Sequence, residues 1–523
     1  MQTGARSNSS SQRSSRARGV CRRMPTPAPL IAVLALVWLF VPIAAAQQLN
    51  GDVERLIRDS SIANAEVSIA AIDLDSGALL LAIDDDQPRI PASNMKLLPT
   101  GAALIALGPD HVFRTEFHVV GDRLIVTGSG DPAVGDPDLL EENSPGLTID
   151  ALLSALVDRI RRDAAAGVRE FVLDDRGFDR ERQHPTWDPE DVNKSWQPEV
   201  AGLNFHANTL AVFAAASPDG PGARPNVTIQ PQTDVVRVDV QGRSVTRSRT
   251  TAWVARARSA NRFTLFGNVR GPALSPIRVP VYDPPAFLGD LLAERLTGSD
   301  GVPAVRLAEA SERFDRPAPV ALVKTPLVDI VQRCNTVSQN LYAESLLKAT
   351  GHAITGEPGS FSNGGASVRM LIAARLSPAA AAATVIADGS GLSRDNRITA
   401  GTLVEWLRYF HRNDELADLY RDSLPTRGLG TLRRWFRDAP LETDLRAKTG
   451  YLTGVRGLSG YLVHPDTGRT VAFSILINGV GAGAGNAESR ALTERIVRQL
   501  DAYLASVGAV ATAPRPAGAN LGG

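Results

Sequence analysis

Two stretches of this chain place a hydroxyl three positions before a lysine amine: Ser93-Asn94-Met95-Lys96 and Ser345-Leu346-Leu347-Lys348. On one helical turn such a pair shares a face, so the amine can take the hydroxyl proton while the oxygen attacks a carbonyl. At a helix start the serine would also sit at the positive end of the helix dipole. Spacing alone does not choose between the copies. Composition adds a hint, because only five of the 56 Lys+Arg residues are lysines: Lys96, Lys194, Lys324, Lys348 and Lys448. An amine can lose its proton where a guanidinium cannot.

Two further polar clusters could serve the same chemistry. Ser338-Gln339-Asn340 interrupts what reads as two helices, Leu327 to Cys334 and Leu341 to Thr350, the second expected to stop at Gly351. A hydroxyl and a carboxamide two residues apart can face one cleft there, or can cap the helix ends. Both readings stand on these residues alone. Lys448-Thr449-Gly450 lies in a strand-like run from Leu445 to Tyr451. Cys334 is expected to be a buried, small apolar side chain. The seven histidines show no ligand spacing, and the chemistry needs no metal or cofactor.

The elements that must position these groups follow from periodicity. Val67, Ile69 and Ala71 alternate with smaller or polar residues, and a turn at Asp75-Ser76-Gly77 leads into Ala78 to Ile83, predicting a hairpin. A short helix is expected before it, over Asp52 to Asn64. Ser93 to Leu107 reads as a buried helix, with Pro99 setting apart a first turn that carries Ser93 and Lys96. Phe113 to Thr127 is strand-like, and Gly128-Ser129-Gly130-Asp131-Pro132 is a tight turn. Leu147 to Ala164 is an amphipathic helix, and Asn204 to Val279 reads as short strands forming an all-β module. Gly457 to Val463 and Thr470 to Asn478 predict a second hairpin, and Glu488 to Ala505 a last amphipathic helix. The chain thus begins and ends with hairpin-plus-helix units that can share one antiparallel sheet.

In chain order, Ser93-x-x-Lys96, Ser338-x-Asn340 and Lys448-Thr449-Gly450 resemble the active-site triplet of penicillin-binding proteins and serine β-lactamases. That order selects the first Ser-Lys pair, because Ser345 follows the Ser338 motif in the same helix. The 245 positions from Ser93 to Ser338 exceed what β-lactamases place there. With the segments Gly128 to Pro132, Ser338 to Glu344 and Asp388 to Ser393, the chain resembles class C low-molecular-mass penicillin-binding proteins from about Val53 to Leu504. This is the D-alanyl-D-alanine carboxypeptidase/endopeptidase family of penicillin-binding protein 4 type.

The resemblance implies an α/β (α+β) serine DD-peptidase, β-lactamase-like catalytic domain: a central antiparallel sheet flanked by helices, over residues 47–116 and 312–506. An inserted accessory domain would occupy 117–196 and 279–311, with a nested, mostly β accessory domain at 197–278. The implied reaction is acyl transfer from a D-Ala-D-X bond of a peptidoglycan stem peptide to Ser93, then hydrolysis. Lys96 would be the base, Ser338 would relay a proton to the leaving amine, and Asn340 would bind the substrate amide and position Lys96. Lys448 and Thr449 would hold the terminal carboxylate, Gly450 would let the substrate lie close to the strand, and the Ser93 and Tyr451 N–H groups would form the oxyanion hole. β-Lactam antibiotics would be covalent inhibitors. Gln339 stands where many relatives carry Asp, and no E-x-x-L-N glutamate is found, so penicillin should be trapped and not turned over. A β-lactamase or related serine esterase, and a catalytically silent penicillin-binding wall protein, are the competing readings. Arg394 and Asp179 could meet a charged stem-peptide side chain or be structural charges.

Bulk properties agree. A chain of 523 residues with 43% apolar residues is expected to form two or three domains. Its formal net charge of +0 offers no electrostatic case for nucleic acid or an anionic membrane as the main partner. Residues 1–46 read as a secretory signal: arginines, an apolar run from Leu30 to Ile43 shorter than the ~20 residues that span a bilayer, then Ala44-Ala45-Ala46. An exported, periplasmic protein without a stable membrane span follows, with Cys334 its sole cysteine after cleavage and no internal disulfide. A disordered tail is expected over 507–523.

Overall fold

The structure, a computed structural model, describes residues 47–164, 167–296, 301–481 and 483–512. The expected signal and most of the expected tail lie outside these residues. Among the described residues no helix is long and apolar enough to cross a membrane.

Both terminal hairpins do join one sheet. Its strands are β1 (Glu66–Asp73), β2 (Leu79–Ile83), β3 (Asp444–Leu452), β4 (Val455–Val463) and β5 (Thr470–Asn478), in the order β3-β4-β5-β1-β2, every pair antiparallel. β1 does not alternate: seven of its eight residues are buried, as are all nine of β5. A strand buried on both faces needs cover on both, and its sequence then loses the period-two signal. Helices α5 (Ala400–His411) and α6 (Ala484–Thr512) pack against the sheet.

A further group of helices packs together: α1 (Leu97–Leu107), α2 (Leu327–Val337), α3 (Asn340–Thr355) and α4 (Phe361–Arg375). α1 is buried continuously from Leu97 to Leu104, as expected of a helix that is apolar all round. A β-carbon on Gly101 would come within 2.6 Å of the Phe410 ring, so glycine here admits α5 against α1.

Several expectations are corrected. The first helix covers residues 47–58, where the Ser60 hydroxyl and N–H both bond to the Ile57 carbonyl and end it. Gly351 does not stop α3, which continues to Thr355 and ends at Gly356 with φ +74°. Gly351 instead lets α4 approach, since its β-carbon would lie 2.2 Å from Asn363 Oδ1. The stretch read as one strand from Phe113 is a hairpin, Val112–Val120 and Arg123–Gly128, turned at Gly121 with φ +64°. α6 runs to Thr512, into the expected tail.

A second five-stranded sheet has the order Ala304–Leu307, Glu170–Asp174, Arg123–Gly128, Val112–Val120, Ala321–Pro326. Its last two strands lie partly or wholly outside the boundaries expected at 117 and 311. The short strands between Thr209 and Pro280 form two three-stranded sheets and a two-stranded one. They do not have a core of their own: Phe117, Leu153, Phe171, Leu210, Phe263 and Phe287 belong to one cluster. A run of short strands reveals a module, but which neighbour it shares a core with depends on long-range packing.

Candidate active site

The first Ser-Lys pair sits on a 3-10 turn, Ala92–Lys96, that feeds directly into α1. The turn is strained, because Ala92, fully buried, has φ +47°, a region that side-chain-bearing residues rarely adopt. Two neighbours hold it there. At Gly391, with φ +83°, a β-carbon would lie 1.9 Å from the Ala92 carbonyl oxygen, so only glycine lets the 388–396 loop close over the turn. On the other side Gly450 and Gly457 face each other across β3 and β4. β-Carbons there would lie 2.6 and 2.8 Å from Asn94 Oδ1. Buried Asn94 lies against this bare patch and donates to Ser459 Oγ at 2.5 Å. The freedom at Gly450 is therefore used by the nucleophile turn itself, where substrate was expected to gain the room.

Lys96 Nζ meets three oxygens: Asn340 Oδ1 at 2.6 Å, the Ser390 carbonyl at 2.7 Å and Ser93 Oγ at 3.2 Å. The amide orientation of Asn340 is determined by its other end, which donates to the Trp196 carbonyl at 2.6 Å. Two of the three oxygens can only accept. A neutral amine has two protons and one lone pair, so its protons go to Asn340 and Ser390 and its lone pair faces the Ser93 hydroxyl. Burial draws the Lys96 amine down from 10.5 to about 8, against the opposing pull of the Glu344 and Asp388 side chains. Burial pushes the Cys334 thiol up to about 12. The thiol is thus a protonated, buried filler, with Sγ–H directed at the Gln339 carbonyl.

Ser338 ends α2 in the left-handed region, φ 63° and ψ 39°, and Gln339 starts α3 without a side-chain cap. The capping reading of Ser338 and Asn340 therefore fails, and both side chains point to lysines. Lys448 Nζ donates to Ser338 Oγ at 2.8 Å and to the Thr449 carbonyl at 3.0 Å. Lys448 is held well below the usual lysine range, first by burial and then by repulsion from Lys96. Both amines are fully buried, while Ser93, Ser338 and Thr449 are half-buried. The hydroxyls thus line the accessible side with the amines behind them. Tyr451 lies at the rim, 51% exposed, its ring under the Arg456 guanidinium and its hydroxyl accepting from Asn486.

Other supporting residues carried no recognisable role in the sequence. Glu344 sits one turn after Asn340 on α3, fully buried, and accepts from the Gly389 and Ser390 N–H groups at 2.7 and 2.8 Å. Burial first, then Asp388, raises its carboxyl to about 8. Asp388 binds the N–H groups of Gly391 and Ser393, the Asn396 amide and the Trp187 indole. These two carboxylates shape the loop that presents the Ser390 carbonyl to Lys96. The acid-glycine run Asp388-Gly389-Ser390-Gly391 was the available signal, although it does not name the partner.

The rival pair lies inside α3. Ser345 Oγ is buried without a hydrogen bond. Lys348 donates to Asp179 at 2.5 Å and to the Glu181 carbonyl, and lies 4.3 Å from the Phe361 ring centre. Asp179 is thereby a structural counter-ion. Arg394 donates to the Thr453 carbonyl.

The profile of the D-Ala-D-Ala carboxypeptidase 3 (S13) family matches residues 49–502. A D-alanyl-D-alanine carboxypeptidase of Actinomadura sp. (strain R39) is 29% identical over 482 residues, covering 87% of this chain and 85% of that protein. The crystal structure of penicillin binding protein 4 from Haemophilus influenzae aligns with a TM-score of 0.67 at 21% identity, over 86% of this chain and 98% of that one. The same Haemophilus protein complexed with a β-lactam aligns with a TM-score of 0.62 at 20% identity, over 87% and 99%. With its profile matched across nearly the whole described chain, the protein belongs to the D-Ala-D-Ala carboxypeptidase 3 (S13) family.

Proposed function

We propose that Ser93 attacks the carbonyl of a D-Ala-D-X bond in peptidoglycan stem peptides, as a DD-carboxypeptidase and/or DD-endopeptidase, and that water then releases the acyl group. The observation that carries this is the three-oxygen environment of Lys96, which leaves the amine lone pair for the Ser93 hydroxyl. Lys96 takes that proton. Ser338, bridged to Lys448, passes a proton to the departing amine. Lys448 and Thr449 receive the substrate carboxylate, whose charge favours the protonated form of Lys448. The Ser93 and Tyr451 N–H groups face the developing oxyanion, a stabilisation of roughly 3 kcal/mol per donor. Gly450 and Tyr451 border the bound strand of substrate. The chain divides into a catalytic part, a sheet-bearing insert and a nested β module, near 47–116 and 312–506, 117–196 and 279–311, and 197–278, except that the insert's sheet also takes in residues 112–116 and 321–326. Export across the inner membrane to the periplasm would bring the site to its polymer.

β-Lactams are read as covalent inhibitors. The buried carboxylate nearest in sequence to Asn340 is Glu344, and both its oxygens are occupied by loop N–H groups. It is not free to activate water against a penicilloyl ester. Purified uncross-linked and cross-linked muropeptides test the proposal. Release of D-alanine from the first, cleavage of dimers in the second, or both are expected, and the pair separates the two roles. Rapid penicillin hydrolysis with neither product would overturn the peptidase reading in favour of a β-lactamase.

A further inference from the structure

The chain is electrically neutral as a whole, yet residues 220–280 hold ten arginines, no lysine and two acids, Asp234 and Asp239. Over the whole nested β module, 197–278, Glu199 and Asp219 join these two acids and the excess is six positive charges. Two of the arginines are used internally: Arg256 is buried and bonds three backbone carbonyls, and Arg278 pairs with Asp138. Arg237, Arg243, Arg247, Arg249, Arg262 and Arg270 are exposed and form no ion pair among the described residues.

Strand register places part of this charge beside an aromatic platform. In the sheet Trp253–Arg256, Arg262–Phe266, Arg237–Val240, residue Trp253 pairs with Phe266 and Arg262 with Arg237. Side chains alternate along a strand, so all four share one face, while Val254, Phe263 and Leu265 on the other face enter the core. Trp253 is 52% exposed and stacks on Phe266 with ring centres 4.5 Å apart. Asp239 is the acid on that face. At the sheet's edge Arg249 and Arg270 are neighbours, because the Arg270 N–H donates to Thr250 Oγ1 at 3.1 Å.

We propose that this Trp253–Phe266 face and its unpaired arginines form a non-catalytic docking surface for anionic glycan strands of peptidoglycan. Flat aromatic rings offer apolar area to sugar faces at low conformational cost, and guanidinium forks match the carboxylates of stem peptides. The placement suits this occupant. The Arg256 N–H donates to Asn193 Oδ1 at 2.8 Å, and three residues further on the Trp196 carbonyl accepts from Asn340. One short segment therefore joins the module to the catalytic cleft. The choice of peptidoglycan rests on the proposed function; the charge and the platform do not.

Co-sedimentation with purified sacculi, using full-length protein carrying Ser93→Ala to prevent acylation, tests the proposal. Adding Arg237→Gln, Arg262→Gln and Trp253→Ser should lower retention about tenfold or more, and added salt should lower that of the parent. In the Ser93 protein the same three changes should leave turnover of a soluble D-Ala-D-Ala peptide unchanged and slow turnover of sacculi. Equal retention of the two proteins would overturn the proposal, as would tighter retention on phosphatidylglycerol vesicles than on sacculi. Failure of the peptidase reading would show separately, as no turnover of the soluble peptide by the unaltered protein.

Discussion

The two Ser-x-x-Lys copies have the same spacing and both lysines are fully buried, but they do opposite things. Around Lys96 the acceptors are an amide oxygen, a backbone carbonyl and a hydroxyl, none of them charged. Lys348 meets a carboxylate. A buried amine among neutral dipoles is free to be neutral, whereas one paired with Asp179 is a structural cation. Ser93 stands half-buried on a strained turn and Ser345 is sealed inside a helix. What distinguishes a base from a strut is thus the charge of its partners and the access of its serine, and neither is written in the four-residue spacing.

Substitution at the serines should separate the copies most. Ser93→Ala should abolish acylation, a loss of about 10⁴-fold or more in turnover. Ser345→Ala, measured in the same assay, should leave turnover within about twofold and stability within about 0.5 kcal/mol, since it removes a hydroxyl with no partner. At the lysines, Lys96→Met should lower the acylation rate by about 10²- to 10⁴-fold. A base must be deprotonated, and burial has brought Lys96 down to about 8. The acylation rate of the unaltered protein should therefore rise with pH through about 8 and level off above it, and stopped-flow acylation of Lys96→Met should lose this limb. Lys348→Met should keep the limb and lower stability in urea by about 1–3 kcal/mol, the partial exposure of Asp179 limiting the cost of leaving it unpaired.

A smaller contrast lies in the glycines near each copy. Gly391→Ala combines a positive φ with a β-carbon 1.9 Å from the Ala92 carbonyl. A loss of about 2–4 kcal/mol is expected, together with slower acylation, as the Ser93 turn shifts. Gly356→Ala, with a positive φ but nothing within 4 Å, should cost about 1 kcal/mol by thermal denaturation and leave acylation unchanged.

The two terminal hairpins, the nucleophile turn set apart by Pro99 and the order of the three motifs were legible because each is local or follows chain direction. What was not legible joins distant positions through groups that carry no residue identity. Lys96 is tied to Ser390 by a backbone carbonyl 294 positions away, and Asn340 to the insert by the carbonyl of Trp196. Any residue supplies such a carbonyl. Gly351 misled for a related reason, since a glycine that ends a helix and one that admits a neighbouring helix look alike until the neighbour is in place. The division between the insert and the β module was drawn from turn spacing, and their common core crosses it.

The central claim is that Ser93, and not its counterpart in α3, forms the acyl-enzyme. Labelling the full-length protein with a fluorescent penicillin and mapping the adduct by peptide mass spectrometry tests it most directly. The adduct should lie on the peptide containing Ser93 and vanish in Ser93→Ala while persisting in Ser345→Ala. An adduct on any other residue, or labelling that survives Ser93→Ala, would contradict the account.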